Sequence, residues 1–261
     1  METERQIEPH IQEAIDRFRR LEEARDSEMT VQLDEILLRM RERFRPATNE
    51  QVAEWEWENC VRDMTGLGWD KRHCYRIAPN WNCPDQEQAF QHMSGLLNGK
   101  GAVVALVGER GVGKTTIAAE HSRLRLQAQK AYFSIPANER IRPHPPFAPG
   151  RYEKLGRMAN MFKPLYADFG SINSDMLSGQ LDRWCKADLV VLDELHETED
   201  LRTNMRFLVD FVDRRYANHK DTILISNHSG EEFATHVNSS IISRINHHGD
   251  IIECDWESHR K

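Results

Sequence analysis

Cysteine is scarce in this 261-residue chain. The five present, Cys60, Cys74, Cys83, Cys185 and Cys254, are scattered and include no Cys-x-x-Cys pair. An odd, dispersed set excludes a disulfide framework and predicts reduced thiols. Long apolar runs are missing too. With a mean hydropathy of −0.68 and no stretch approaching about 20 apolar residues, a membrane-spanning helix is excluded. Basic excess is absent: 35 Lys+Arg face 42 Asp+Glu, for a net charge of −7. That balance argues against an overall basic coat for gripping nucleic acid, while leaving room for a local basic patch. The opening Met1-Glu2-Thr3-Glu4-Arg5 lacks the basic and apolar segments of a secretory signal, so a cytoplasmic location is expected. No internal repeat is visible.

What is present suits a globular protein: 39% hydrophobic and 30% charged residues over a length that allows a sizeable core. Residues 1–45 are charge-rich, with 9 Arg and 12 Asp+Glu. Within them Ile7, Ile11, Ile15, Phe18 and Leu21, and then Leu33, Leu37, Met40 and Phe44, form two stripes at helical spacing. Two helices in a hairpin or one broken helix fit equally, and the apolar face either packs on itself or docks on a partner protein. Residues 46–95 hold four of the six tryptophans, Trp55, Trp57, Trp69 and Trp81. A helix over about 49–62 and another over 86–97 are expected, with Pro79 and Pro84 marking the connection. Cys60, His73, Cys74, Cys83 and His92 raise the question of zinc, but no short chelating pair is present. A Trp-rich packing region is the better reading.

From about residue 96 short apolar runs alternate with helix-like stretches. The runs are 102–107, 131–135, 189–192, 222–225 and 251–254. Buried parallel strands read this way. An α/β sheet of five parallel strands sandwiched by helices is predicted, with a helical domain over residues 1–90 and the sheet domain over 91–261.

The chemistry starts at Gly108-Glu109-Arg110-Gly111-Val112-Gly113-Lys114-Thr115. It fits G-x-x-x-x-G-K-[ST] in full, between an expected strand and an expected helix opening at Thr116, which is the context a P-loop requires. Glycines let backbone N–H groups cradle phosphate oxygens, and the helix N-terminus adds its dipole. Lys114 would reach the β- and γ-phosphates of ATP, and the Thr115 hydroxyl would ligate Mg2+. About 80 residues on, Asp188–Leu192 is an apolar run ending in Asp193-Glu194. Asp193 suits the Mg2+ shell and Glu194 suits a base for the attacking water. The run at 222–225 ends in Ser226-Asn227, between the two motif strands, where Asn227 could bond the γ-phosphate or that water. Ile241-Ile242-Ser243-Arg244-Ile245 places an arginine among apolar residues. Either Arg244 forms an intramolecular ion pair, or it is offered to a neighbouring subunit's nucleotide.

In this order the motifs, together with the ending Ile251–Arg260 and its Asp-Trp-x-Ser, resemble the DnaC/IstB-type AAA+ ATPases, most of all the replicative-helicase loaders of bacteria and their phages. The segment Asp210-Phe211-Val212-Asp213-Arg214-Arg215-Tyr216 is similar to the helix those proteins carry after the Asp-Glu strand. The resemblance covers about 96–260. It implies Walker A at Lys114 and Thr115, Walker B at Asp193 and Glu194, sensor 1 at Asn227 and a trans-acting finger at Arg244, with Arg214 or Arg215 supporting that interface. Only 16 residues separate Arg244 from Lys261, which implies a reduced or absent helical lid and weak ATPase activity without assembly or DNA.

One segment stands apart. Residues 139–166 carry Arg140, Arg142, Arg151, Lys154, Arg157 and Lys163 against Glu139 and Glu153, with Phe147, Tyr152, Phe162 and Tyr166 interleaved. Cations that track phosphates and aromatics on which bases stack are what single-stranded DNA binding uses. Five of the ten prolines lie here, suggesting a long ordered excursion; a proline-rich surface loop with solvated charges is the alternative. Arg151, Tyr152, Lys154, Arg157, Phe162 and Lys163 are the candidate DNA contacts. The resemblance then implies an ATP-controlled loader of a hexameric replicative helicase that binds single-stranded DNA, self-associates with nucleotide at the subunit interface, and is released on hydrolysis. An IstB-like transposition regulator acting on duplex DNA and a transposase is the other branch. A small-molecule kinase fits Glu194, Asn227 and Arg244 less well.

Overall fold

In a computed structural model of the protein, the described residues are 50–74, 81, 83–140, 148–166, 174–195 and 201–257. Both N-terminal apolar stripes lie outside them, as do Pro79, Arg142, Phe147, the prolines at 143, 145 and 146, and residues 258–261. The helix expected over 49–62 is α1, Glu50–Gly66, followed by a single 3₁₀ turn at Lys71–His73. Then come α2 (Pro84–Leu96), β1 (Val103–Val107), α3 (Lys114–Ser134), β2 (Arg151–Lys154), α4 (Leu155–Tyr166) and α5 (Ser174–Lys186). The chain continues through β3 (Leu189–Asp193), α6 (Leu201–Ala217), β4 (Asp221–Ile225), α7 (Gly230–His236), α8 (Ser239–His247) and β5 (Gly249–Glu253). No helix among the described residues is long and apolar enough to cross a membrane.

The five strands form one sheet in the order β2-β3-β4-β1-β5, and every pairing is parallel. All side chains of β1, β3 and β4 are buried, which is why these strands are continuous apolar runs in the sequence. Leu106 pairs with Ile225, and Leu192 with Leu224. The ends of β1, β3 and β4 are thus level, and whatever follows each of them lies along one rim of the sheet.

Two expectations are corrected. The apolar run 131–135 is not a strand: α3 extends to Ser134, whose hydroxyl donates to the Ala131 carbonyl. Buried Ala131, Tyr132 and Ile135 are the end of a helix and its exit, and five residues of apolar sequence cannot tell that from a strand. The fifth strand is β2, within the supposed excursion, pairing Arg151 with Val190 and Lys154 with Asp193. It is an edge strand with one buried side chain, Tyr152, so it leaves no apolar run to read.

Helix α4 lines up Leu155, Met158, Ala159 and Phe162 at i, i+3, i+4 and i+7, and all four are buried. Phe162 stacks on Phe207 of α6, which stacks on Phe211, with centroids 6.0 and 5.6 Å apart. Burying one such ring stabilises the fold by roughly 2 kcal/mol. Polar struts fix the opposite end of the sheet. Asp221 accepts hydrogen bonds from the N–H groups of Gly99, Gly101 and Ala102, which sets the entry to β1. Arg215, wholly buried, donates to Thr222 Oγ1 and to the carbonyls of Trp184, Ala187 and Asp221.

The described residues belong to two compact units, one within Met1–Asn80 and Glu120–Pro149, the other within Trp81–Ala119 and Gly150–Lys261. The division falls at 80/81 where the sequence suggested 90/91, and the first unit also takes α3 from Glu120 onward. Within that unit Arg123 pairs with Glu120 at 2.7 Å, both side chains nearly inaccessible, and Lys130 pairs with Asp63 at 2.6 Å. The second unit contains the whole sheet.

Candidate nucleotide site

The loop between β1 and α3 is shaped by three glycines at positive φ: Gly108 at 131°, Gly111 at 95° and Gly113 at 98°. Residues with a Cβ rarely adopt these conformations. At Gly108 the requirement is doubled, because a Cβ would stand 2.3 Å from the Cys254 carbonyl oxygen. Lys114 opens α3, and its Nζ donates to the carbonyls of Gly108 and Glu109, each at 2.6 Å. Burial pushes its ammonium down from the ordinary 10.5. The ammonium therefore lies inside the curl of its own loop. Glu109 and Arg110 are exposed, Val112 is buried, and Thr116 lies in the first turn of α3.

The carboxylates come from the neighbouring strand ends. Asp193 closes β3, and its Oδ2 accepts hydrogen bonds from Thr115 Oγ1 and Tyr152 Oη, both at 2.9 Å. Two hydroxyls thus hold the carboxylate beside the loop. Glu194 follows at φ 58°, a left-handed conformation uncommon for glutamate. Its N–H donates to Asp193 Oδ1 at 2.7 Å. Its side chain accepts from Lys154 Nζ at 2.6 Å. On the third strand, β4, the Ser226 N–H donates to the Leu106 carbonyl at 3.0 Å, and the His228 carbonyl accepts from the Gly108 N–H at 2.8 Å. Asn227, half-buried, lies between those two ties to β1. The structure therefore gathers Lys114, Thr115, Asp193, Glu194 and Asn227 on one rim of the sheet.

Arg244 sits on α8. Its Nη1 donates to Ser240 O and Oγ at 2.8 Å, and its guanidinium lies 5.5 Å from the Tyr216 ring centroid. Its Nε approaches Asp213 Oδ1 to 2.6 Å without hydrogen-bond alignment, so that contact is one of charge. Within one chain the ion pair is the observed state. Arg214 is partly exposed and pairs with Asp210 at 2.9 Å. Arg215 is a correction: a wholly buried side chain engaged with four backbone or hydroxyl partners is a structural strut and has no surface to present.

The candidate DNA residues separate sharply. Tyr152 and Phe162 are buried, at 5% and 0% exposure, one bonded to Asp193 and the other in the aromatic stack. Neither ring is available to a base. Their interleaving with cations is the ordinary pattern of an edge strand and an amphipathic helix. Arg151 lies over the Trp184 ring at 5.5 Å, and Lys154 is on Glu194. Arg157 and Lys163 are exposed on α4. Among the described residues no three His, Cys, Asp or Glu side chains stand together as a metal site.

Two residues escaped the sequence reading. Gln86 of α2 and Trp256, beyond β5, both donate to the Val112 carbonyl in the middle of the loop, at 3.0 and 2.6 Å.

The donor set fits a nucleotide with Mg2+. Lys114 and the loop N–H groups would hold phosphates, and Thr115 with Asp193 would hold the metal, which would neutralise charge on the phosphate oxygens. A parallel sheet of order β2-β3-β4-β1-β5, with this loop after β1 and the acidic pair after β3, is the fold of the AAA+ P-loop ATPases. The chain is similar to the solved structure of the DnaC helicase loader, at 16% identity over 67% of this chain and 93% of that one, with a TM-score of 0.51. It is also similar to a candidate primosome component from Streptococcus pyogenes serotype M3, at 11% identity over 81% of this chain and 100% of that one, with a TM-score of 0.50. At these identities the likeness is one of fold. No protein-family model matches the sequence, and no curated protein matches it significantly.

Proposed function

We propose that this protein is an ATP-controlled, DnaC-like loader of a hexameric replicative helicase. The observation that carries the reading is the convergence of Lys114, Thr115, Asp193, Glu194 and Asn227 at one rim of a sheet whose fold is that of the DnaC structure. Each residue has a task in phosphoanhydride hydrolysis. Lys114 and the N–H groups of 108–116 bind and orient the phosphates. Thr115 and Asp193 hold the Mg2+. Glu194 takes a proton from the attacking water, and Asn227 orients that water.

Glu194 is engaged by Lys154 in the resting site, and Arg244 is engaged by Asp213. Both pairs must open for full activity: one frees the base, the other frees the arginine for a neighbouring subunit's nucleotide. Basal hydrolysis is therefore slow, and assembly raises it. The output is conformational, through different affinities of the ATP and ADP states for helicase and for single-stranded DNA. Arg157 and Lys163, exposed on α4, are the phosphate contacts of this reading, and Lys154 links them to the catalytic base. Residues 1–90 supply the partner-binding surface, and the protein works in the cytoplasm of a bacterium, encoded by host or phage.

The test is affinity capture from source-cell lysate with Glu194→Gln protein, ATP and Mg2+. A replicative helicase recovered in near-stoichiometric amount is the expected result. A transposase in its place moves the assignment to the IstB-like branch. Mixing Lys114→Ala with Arg244→Ala subunits tests the shared site: activity beyond that of either mutant alone is expected, and none would remove Arg244 from catalysis.

A further inference from the structure

The Val112 carbonyl is held from two directions by residues far apart in sequence. Gln86, in the first turn of α2, donates from Nε2 at 3.0 Å, and Trp256 donates from its indole Nε1 at 2.6 Å. A carbonyl oxygen has two lone pairs, and here both are used. The segment carrying Trp256 is itself fixed against the loop: the Cys254 N–H donates to the Val107 carbonyl at 2.8 Å, and the Cys254 carbonyl occupies the space beside Gly108 that a Cβ would need. Trp256 also belongs to the Asp-Trp-x-Ser ending, for which the catalytic assignment has no use.

The loop needs such a restraint. Val112 stands between Gly111 and Gly113, both at positive φ. Flanking glycines cost little to rotate, so the Val112–Gly113 peptide could flip over at small penalty. In a trans peptide the carbonyl and the following N–H point to opposite sides, and no cis bond occurs among the described residues. Two donors on the Val112 oxygen therefore turn the Gly113 N–H away from α2 and the C-terminal segment.

We infer that Gln86 and Trp256 are positioning residues for the phosphate cradle, clamping the Val112–Gly113 peptide so that the Gly113 N–H faces a bound diphosphate. This rests on the assignment of 108–116 as the nucleotide loop. The clamp gives the Trp of the C-terminal segment a task that in other ATPases of this fold a lid could share: it keeps the phosphate-binding conformation populated before the ligand arrives. The ligand class is any nucleoside diphosphate or triphosphate, with the clamp acting on the phosphates and not on the base.

Calorimetric titration of the full chain with ADP and with inorganic diphosphate tests this, on wild type, Trp256→Phe, Gln86→Met and the double variant. Each single change removes one donor and leaves the other, so a weakening of about 2- to 10-fold is expected. The double change leaves the buried carbonyl without a partner and should weaken binding by about 30-fold or more, beyond the product of the singles. Diphosphate affinity should fall by the same factor as ADP affinity. If the double variant does not fold, Gln86→Glu serves: a carboxylate oxygen facing the carbonyl should weaken ADP binding more than Gln86→Met does. Wild-type ADP affinity in the double variant would overturn the clamp. So would a loss confined to ADP with diphosphate binding intact, since Trp256 would then be contacting the base. Lys114→Ala is the control: unchanged ADP and diphosphate affinity in that variant would overturn the nucleotide loop itself.

Discussion

Lys154 and Glu194 face each other at 2.6 Å with 43% and 25% of their side chains exposed. A pair this open to water contributes about 0–1 kcal/mol to stability, so its importance lies in where it points the carboxylate. Lys154→Met should leave the melting temperature within a degree or two and raise basal ATP hydrolysis several-fold at unchanged KM. Steady-state kinetics without DNA would check this, and a lower kcat would contradict it. Gly108 makes the opposite kind of prediction. At φ 131° with a Cβ position 2.3 Å from the Cys254 oxygen, Gly108→Ala must displace either the loop or the segment after β5. Nucleotide binding should be lost in a titration, and the melting temperature should drop by several degrees. Much of the site was legible at this scale because its residues stand in two short strings, 108–116 and 188–194, whose chemistry depends on local spacing. Gln86, and Tyr152 in its actual role, were not legible: an amide and a phenol acting across 26 and 41 positions leave no local pattern.

Among the elements, the central strands were readable and the edge strand was not, for one physical reason. β1, β3 and β4 are buried on both faces and must be apolar throughout, whereas β2 exposes three of its four residues to some degree. With β2 hidden, the apolar end of α3 looked like the missing strand, and the amphipathic α4 with its buried Phe162 looked like a nucleic-acid surface. Arg215 was misplaced by the same logic, since a charged residue in a basic pair suggests surface. It instead joins α6 to the ends of α5 and β4 through carbonyls that have no water to turn to. Arg215→Met keeps the volume and strands those acceptors. A loss of about 3–5 kcal/mol in denaturant unfolding is expected, larger than for Arg214→Met on the exposed side of the same helix. Equal, small effects for the two variants would contradict the strut.

Over the whole molecule the five free cysteines titrate as buried apolar groups. Burial pushes Cys254 up to about 12, and Cys74 and Cys185 up to about 11, from an ordinary 9.0. With the folded value above the unfolded one, the native state holds protons that the unfolded chain releases. The contribution of these thiols is therefore fully present below about pH 9 and declines as pH rises toward 11 and 12. Urea midpoints taken across that range should fall, and thiol labelling at pH 8 should reach Cys254 and Cys185 only on unfolding. The fold class was legible at this scale, because the P-loop and Asp-Glu strings constrain the topology around them. The unit boundary was not, because Glu120–Pro149 joins the first unit from the far side of the nucleotide loop and no composition change marks it. The central claim is that one rim of the sheet binds ATP through Lys114 and hydrolyses it through Glu194. Its most direct test is parallel ATP binding and single-turnover hydrolysis on wild type, Lys114→Ala and Glu194→Gln. The account predicts that Lys114→Ala loses binding, while Glu194→Gln binds as wild type and hydrolyses about 100-fold more slowly or worse. Hydrolysis at the wild-type rate by Glu194→Gln, or undiminished binding by Lys114→Ala, would contradict it.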